Sequence, residues 1–264
     1  MRSAIRNTEL IREDEAVLPV VSREVQYSFS VYEALRITDG HVVHLDDHLK
    51  RLAASCGDIG LVHHFSDDDI EKSLNKLIAA DGISNATARI FVVGGPSPLL
   101  FITYSDLLTY PDSYYTDGVK ATLYHGERFM PQAKTSNLLM QYIALEEARR
   151  EGAFEALLVD RNGEVLEGTR SNFYAIKGSR LYTAPDDKVL SGITRISVLK
   201  AAAELGLETV YEPPLASNLA SYDSVFISAT SMAAMPVSHI DGVELGKGCW
   251  PLILDIMRLV RKWE

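Results

Sequence analysis

The stretch Ala156-Leu-Leu-Val-Asp-Arg-Asn-Gly-Glu-Val-Leu-Glu-Gly-Thr-Arg-Ser-Asn-Phe-Tyr-Ala-Ile-Lys177 decides the fold class. Ala156–Asp160, Glu164–Leu166 and Ser171–Lys177 are too short for helices, and glycine-bearing turns separate them. Asn162-Gly163 supplies the left-handed conformations of a tight hairpin. Gly178-Ser179 turns the chain again into Arg180–Thr183, so successive strands run antiparallel. Upstream, Val119–His125 reads as a strand and Pro131 as part of a loop, after which Ser136 or Asn137 caps a helix through about Glu151. Downstream come a helix over Ile193–Leu205, a buried strand Val225–Ser228, and a terminal amphipathic helix over Trp250–Trp263.

Toward the N-terminus, strands and helices intermix. Tyr27–Ile37 and His41–Leu45 flank an Asp39-Gly40 turn. Asp46 and Asp47 open a helix to about Ala54, and Ser66 caps another running through Ile78. Strands Thr87–Val93 and Leu99–Tyr104 follow, turned by Gly94–Pro98. The polar, tyrosine-rich stretch around Pro111 has little periodicity and reads as a linker. The expectation is an α+β protein with a small N-terminal α/β domain over residues 1–110, a linker over 111–117 and a larger C-terminal domain over 118–264.

A chain of 264 residues exceeds one ordinary core, which agrees with two domains. The net charge of −10 argues against a general nucleic-acid surface, because phosphate contacts need clustered Lys and Arg. A small anionic substrate stays open, since a few local arginines outweigh a diffuse acidic surface. Cys56 and Cys249 lie outside any CxxC pattern and read as thiols in a reducing compartment. The first 21 residues lack a signal-peptide apolar core, and apolar runs such as Leu99–Thr103 are too short for a bilayer. A cytoplasmic enzyme without membrane partners is expected.

Several residues could carry chemistry, each with a plainer alternative. Lys134, in Met130-Pro-Gln-Ala-Lys-Thr-Ser-Asn137, is either a solvated lysine or a nucleophilic amine. Glu167 is either a turn-side ion-pair partner or a carboxylate facing a cofactor nitrogen. Gly192-Ile-Thr-Arg195 opens a helix whose free N–H groups suit an anion, or is simply a helix cap. Ser228-Ala-Thr-Ser231 offers hydroxyls at a strand end, and Arg51 follows His48 by one helical turn. His41, His44, Asp46, Asp47 and His48 are metal-ligand types, but the strand-to-helix reading scatters them, and no metal is expected. There is no GxSxG elbow for a serine nucleophile.

Seven blocks occur in the order found in the class IV aminotransferases of fold type IV. They are Val31-Tyr-Glu-Ala-Leu-Arg36, Leu45-Asp-Asp-His-Leu-Lys-Arg-Leu52, Ala133-Lys-Thr-Ser-Asn137, Gly152-Ala-Phe-Glu-Ala-Leu-Leu158, Leu166-Glu-Gly-Thr-Arg-Ser-Asn-Phe173, Leu190-Ser-Gly-Ile-Thr-Arg195 and Thr230 through Pro236-Val237. The chain thus resembles a family of branched-chain aminotransferases, D-amino-acid aminotransferases and aminodeoxychorismate lyases. The resemblance implies pyridoxal 5'-phosphate (PLP) as cofactor and a mostly antiparallel, barrel-like core in the C-terminal domain. It implies Lys134 as the Schiff-base lysine and Glu167 as partner of the pyridine nitrogen. Arg51, Ile193, Thr194 and Thr230 match the phosphate cradle. It further implies a homodimer and ping-pong amino transfer between amino acids and 2-oxo acids. A lyase is the alternative reaction, and a PLP-binding protein without turnover is a third reading.

Two substrate-binding devices of the family have no match. Pro98-Leu-Leu-Phe101 stands where an Arg-x-His pair grips carboxylates in D-amino-acid aminotransferases, and no branched-chain arginine is evident near Val93-Gly94-Gly95. Arg170 instead appears in the Glu167–Asn172 turn. The expectation is that Arg170 binds a substrate carboxylate with Tyr27 or Tyr32, or else pairs with an acid. Ser231 and Arg128 are further candidates near the substrate.

Overall fold

In the computed structural model, which describes residues 2–264, the chain divides into two compact units. The first comprises residues 1–108 together with Ala133–Asn137, and the second Thr109–Gln132 and Leu138–Glu264.

The first unit contains strands β1 (Ser3–Arg6), β2 (Glu9–Arg12), β3 (Ser30–Thr38), β4 (His41–Val42), β5 (Ala86–Val93) and β6 (Leu99–Asp106). Its helices are α1 (Arg23–Gln26), α2 (Leu45–Asp58) and α3 (Asp67–Asp81). The strands form one antiparallel sheet in the order β2-β1-β6-β5-β3-β4. Val31, Leu35 and Ile37, at the two-residue spacing of one sheet face, pack with Leu49 and Leu52 of α2 and Ile70, Leu74 and Leu77 of α3. Ser66 caps α3 as expected, its hydroxyl accepting from the Asp69 N–H while the Asp69 carboxylate accepts from the Ser66 N–H.

Three boundaries differ from the sequence expectation. Tyr27 ends α1 rather than beginning β3. Leu45 already belongs to α2, with His44 in a left-handed conformation before it. The helix expected from Ser136 starts at Leu139, because Ser136 spends its N–H on the Ser30 carbonyl. Residues 133–137 lie along the first half of β3: Tyr32 N–H donates to the Lys134 carbonyl, and Val31 bridges Thr135.

The second unit contains α4 (Ser113–Thr116), β7 (Val119–His125), α5 (Leu139–Arg150), β8 (Glu155–Val159), β9 (Val165–Gly168), β10 (Asn172–Lys177), β11 (Arg180–Tyr182) and α6 (Ile193–Glu204). It continues with β12 (Glu208–Val210), β13 (Ser224–Ala229), β14 (Ala233–Ile240), β15 (Val243–Glu244) and α7 (Trp250–Lys262). Strands β10-β13-β14-β7-β8-β9 pair in that order, and β9 pairs back to β10 through Glu167 opposite Asn172, closing a six-strand ring. Of the six pairs in the ring, β14–β7 and β7–β8 are parallel and the other four antiparallel, so this barrel-like core is mostly antiparallel. Val159, Val165, Phe173, Val225, Ile227, Met235 and Val237 form one core cluster of this unit. The tyrosine-rich segment near Pro111 contains α4, and Tyr114 and Tyr115 pack on that cluster. Helices α6 and α7 cover another face through Val198, Ala202, Ile253 and Ile256.

Candidate active site

In the first unit, α2 aligns three side chains at successive turns. His48 Nδ1 lies 2.7 Å from Glu33 Oε2. Arg51 reaches the same carboxylate twice, Nε to Oε1 at 2.8 Å and a terminal nitrogen to Oε2 at 2.6 Å. Ser55 Oγ accepts the Lys134 backbone N–H at 3.0 Å. Glu33 is 0 % exposed and occupies the inward row of β3 with Val31, Leu35 and Ile37. Burial pushes its carboxyl upward, but the hydrogen bonds from Arg51 and His48 and the charges of Arg51 and Lys134 outweigh this and bring it to about 2. His48 is held below its ordinary value by burial, with Arg51 and Lys134 adding to the effect against Glu33. It is therefore neutral at pH 7, and with Glu33 ionised its Nδ1 carries the shared proton.

The folded-state value of Glu33 lies below its ordinary 4.5, so its contribution to stability is complete above pH 4.5 and is lost as pH falls through about 2. Acid titration followed by circular dichroism should show Glu33→Gln losing less stability across that window than wild type. Parallel curves would contradict the assignment.

On the opposite face of β3, the Tyr32 ring meets Lys134 Nζ at 4.7 Å from its centroid and the Arg89 guanidinium at 4.2 Å. Arg89 is exposed and makes no ion pair among the described residues. Nothing in the sequence reading marked Arg89, Glu33 or Ser55 as site residues, and His48 entered it only as a metal-ligand type. A charged residue in the apolar row of β3 was the available signal for Glu33.

In the second unit, Glu167 closes the barrel at the end of β9. Its Oε1 accepts from Arg128 at 3.4 Å and its Oε2 from the Leu190 N–H at 3.4 Å. Arg128 also donates to the Pro131 carbonyl at 3.1 Å, so a residue considered for substrate is occupied beside Glu167. Both line a cavity of about 270 Å³ with Pro131, Leu166 and Lys188. From Leu190 the chain leads to the start of α6. Asn172, opposite Glu167, donates to the Leu190 carbonyl at 2.9 Å. A Cβ at Gly192 would stand 2.4 Å from Asn172 Oδ1, so a larger residue there would have to displace the Asn172 side chain. No side chain caps α6, leaving the first-turn N–H groups of Ile193 and Thr194 for an anion. Asn172 also faces Ser228, which brings the end of β13 and the following Thr230 to the same rim of the barrel. Arg195 is buried and anchors α6, donating to Thr183 Oγ1 at 2.6 Å, to the Ala184 carbonyl at 2.6 Å and to Asp186 at 3.0 Å.

The turn after Glu167 is fastened from below. Glu155 is fully buried and accepts from the Ala156 and Thr169 N–H groups and the Thr169 and Ser171 hydroxyls. Burial raises its pKa against these bonds. A Cβ at Gly168 would meet Ser171 Oγ at 2.2 Å. Arg170 lies over the Phe154 ring at 4.9 Å, with Nε 3.8 Å from Glu155, the acid pairing that was its alternative reading. Ser231 Oγ lies 3.1 Å from the Tyr110 hydroxyl, and Tyr27 is 74 % exposed. Among the described residues no group of His, Cys, Asp or Glu forms a metal site, and no helix is long and apolar enough to cross a membrane.

Residues 30–240 match the amino-transferase class IV family. The chain is 31 % identical to D-alanine aminotransferase of Bacillus licheniformis over 254 residues, covering 92 % of this chain and 89 % of that one. It is 30 % identical to the branched-chain-amino-acid aminotransferase of Escherichia coli K12 over 276 residues, covering 96 % and 89 %. Its fold superimposes with a TM-score of 0.92 on a T.th. branched-chain amino acid aminotransferase with pyridoxamine 5'-phosphate, at 24 % identity, covering 99 % and 93 % of the chains. The chain belongs to the class IV aminotransferases. It is a PLP-dependent transaminase that moves an amino group between an amino acid and a 2-oxo acid.

The donor types fit that cofactor. A lysine amine is a donor suited to an aldehyde, a buried carboxylate to a ring nitrogen, and an uncapped helix start opened by a glycine to a phosphate.

Proposed function

We propose that Lys134 carries the cofactor covalently, that Glu167 pairs with its ring nitrogen, and that Ile193, Thr194, Thr230 and Arg51 hold its phosphate. The observation that carries this reading is Glu167 held on both oxygens beside the uncapped start of α6. When bound, the cofactor supplies the electron sink for the substrate α-carbon and carries the amino group between the two half-reactions. Lys134 Nζ, as a neutral amine, takes the α-proton and redelivers it. Arg128 and the Leu190 N–H keep the Glu167 carboxylate aimed, so that it accepts a ring N–H. The N–H groups of Ile193 and Thr194 and the Thr194 hydroxyl orient the phosphate dianion.

Arg89 is assigned to a substrate carboxylate in preference to Arg170. Arg89 shares the Tyr32 ring with Lys134 and has no acidic partner among the described residues, whereas Arg170 serves Glu155. The donor is an amino acid of the D-alanine or branched-chain L-type and the acceptor a 2-oxo acid, in keeping with the relatives at 31 % and 30 % identity. Mixing the holoenzyme with both enantiomers of alanine and leucine should convert the cofactor spectrum and release one equivalent of 2-oxo acid, and Arg89→Met should weaken the productive donor about tenfold or more. Pyruvate release from aminodeoxychorismate without donor conversion would point to the lyase. No conversion by any donor would leave binding without turnover.

We also infer a cytoplasmic homodimer. Leu139, Tyr142 and Ile143 stand exposed at adjacent turns of α5, near in sequence to exposed Phe129, an unusual apolar face for a monomer. Sedimentation equilibrium should give twice 29.2 kDa, and a monomer mass at micromolar concentration would reject the dimer.

A further inference from the structure

Strands β13 and β14 are joined by Thr230, Ser231 and Met232, a turn closed by the Met232 N–H donating to the Ala229 carbonyl at 3.0 Å. Ala233, the next residue, has φ +56°, in the left-handed region that glycine adopts at little cost and alanine does not. It is fully buried in a core cluster with Val198 of α6 and Ile256 and Val260 of α7, and this packing holds the backbone in that conformation. Three side chains from outside the hairpin grip the turn as well. Arg261, in the last turn of α7, donates to the Ser231 carbonyl at 2.8 Å, and its other terminal nitrogen donates to the Glu264 carboxylate at 2.6 Å. The Tyr115 hydroxyl of α4 donates to the Met232 carbonyl at 3.2 Å, and the Tyr110 hydroxyl lies 3.1 Å from Ser231 Oγ.

Thr230 is the turn residue these grips leave over. It is partly exposed, and its hydroxyl makes no hydrogen bond among the described residues. We propose that Arg261, with Tyr115 and Tyr110, positions this turn so that the Thr230 hydroxyl stays available to the cofactor phosphate. The inference rests on the reading of Thr230 as part of the phosphate cradle. An arginine at a helix end commonly just pairs with a nearby acid, as Arg261 does with Glu264. Here the pairing has a further consequence. The Glu264 carboxylate fixes one edge of the guanidinium, so the planar fork delivers its other nitrogen to a carbonyl 30 residues earlier in the chain. The turn needs such support, because the left-handed Ala233 costs backbone energy and a relaxing turn would carry Thr230 with it. The grips fall on the Ser231 and Met232 carbonyls and the Ser231 hydroxyl, so none of them uses Thr230 itself. Val198 shares the core cluster with Ala233, so one core carries both this turn and the helix α6 with its uncapped start.

The test is equilibrium binding of two probes to the cofactor-free full chain: pyridoxal 5'-phosphate, and pyridoxal, which lacks the phosphate. The preference for the first over the second reads the phosphate contacts apart from the rest of the site. Arg261→Met should weaken pyridoxal 5'-phosphate about tenfold and pyridoxal by less than about twofold, because a charged hydrogen bond that holds the turn is lost while the ring and aldehyde contacts remain. An unchanged preference overturns the proposal, whether both affinities stay as in wild type or both fall together through a general loss of structure. Should Arg261→Met not fold, Tyr110→Phe/Tyr115→Phe removes two of the grips and leaves both rings packed on their core. Its preference should fall about threefold, and an unchanged preference again overturns the proposal. Thr230→Val separates the two readings. A preference unmoved by that substitution rejects Thr230 as a phosphate ligand, while a preference lowered there but not in Arg261→Met rejects the positioning role alone.

Discussion

Lys134→Ala is expected to lose the visible absorption band of the bound cofactor and to lower kcat by about 10⁴-fold or more. One amine is asked both to anchor the cofactor and to move the substrate proton, so no neighbour can take over half the task. Tyr32 faces Lys134 as an aromatic ring, and Arg89 over the same ring offers a guanidinium, which is no general base. The loss should not reflect misfolding. The contacts that seat this segment are main-chain ones: the Lys134 carbonyl accepts from the Tyr32 N–H, and the Lys134 N–H donates to Ser55 Oγ. Thermal unfolding of the apo-variant within a few degrees of wild type, together with the kinetic loss, is the expected pair of results. Turnover within tenfold of wild type would contradict the role.

Glu167→Gln is expected to lower kcat by about 10²–10³-fold while changing donor KM by less than tenfold. The amide keeps the shape of the carboxylate but has a single acceptor oxygen, so it can keep the bond from Arg128 or that from the Leu190 N–H and turns its NH2 toward the other donor. It cannot supply the negative charge that keeps a ring nitrogen protonated, so the penalty falls on the charge developing during reaction rather than on substrate binding. A KM effect with kcat unchanged would recast Glu167 as a binding residue. The turn beyond it, fastened by Glu155 through Thr169 and Ser171, should stay intact in this variant.

Much of this architecture is legible in the sequence because the decisive segment is dense in turn residues. The Asn162-Gly163 turn forms where expected, with Asp160 accepting from the Asn162 and Glu164 N–H groups. The terminal helix over Trp250–Lys262 follows its apolar repeat. Strands β1 and β2 escaped reading because each has four residues and carries charge. Strand β14 was hidden by Pro236, which sits mid-strand opposite Phe226 although proline cannot donate to the ladder. Ser136 looked like a helix cap because cap preference is local, whereas its pairing with Ser30 is made across more than a hundred residues.

The same division runs through the site. Glu167 and the Gly192 opening lie in motifs whose chemistry is local, so their residue types suggested roles. Glu33 stood in a quoted block, yet its meaning depends on His48 and Arg51 arriving from the next helix. Arg89 is a sharper case. Register pairs Ala34 with Arg89 and Tyr32 with Phe91, which sets the guanidinium diagonally over the Tyr32 ring, and no local pattern encodes that pairing.

The account turns on which amine holds the cofactor. Reducing the holoenzyme with borohydride, digesting it and mapping the modified peptide by mass spectrometry addresses that question directly. The account predicts one cofactor-derived mass increment per chain, located at Lys134 in the peptide containing Ala133-Lys-Thr-Ser-Asn137. An increment confined to any other lysine, with Lys134 unmodified, would contradict it.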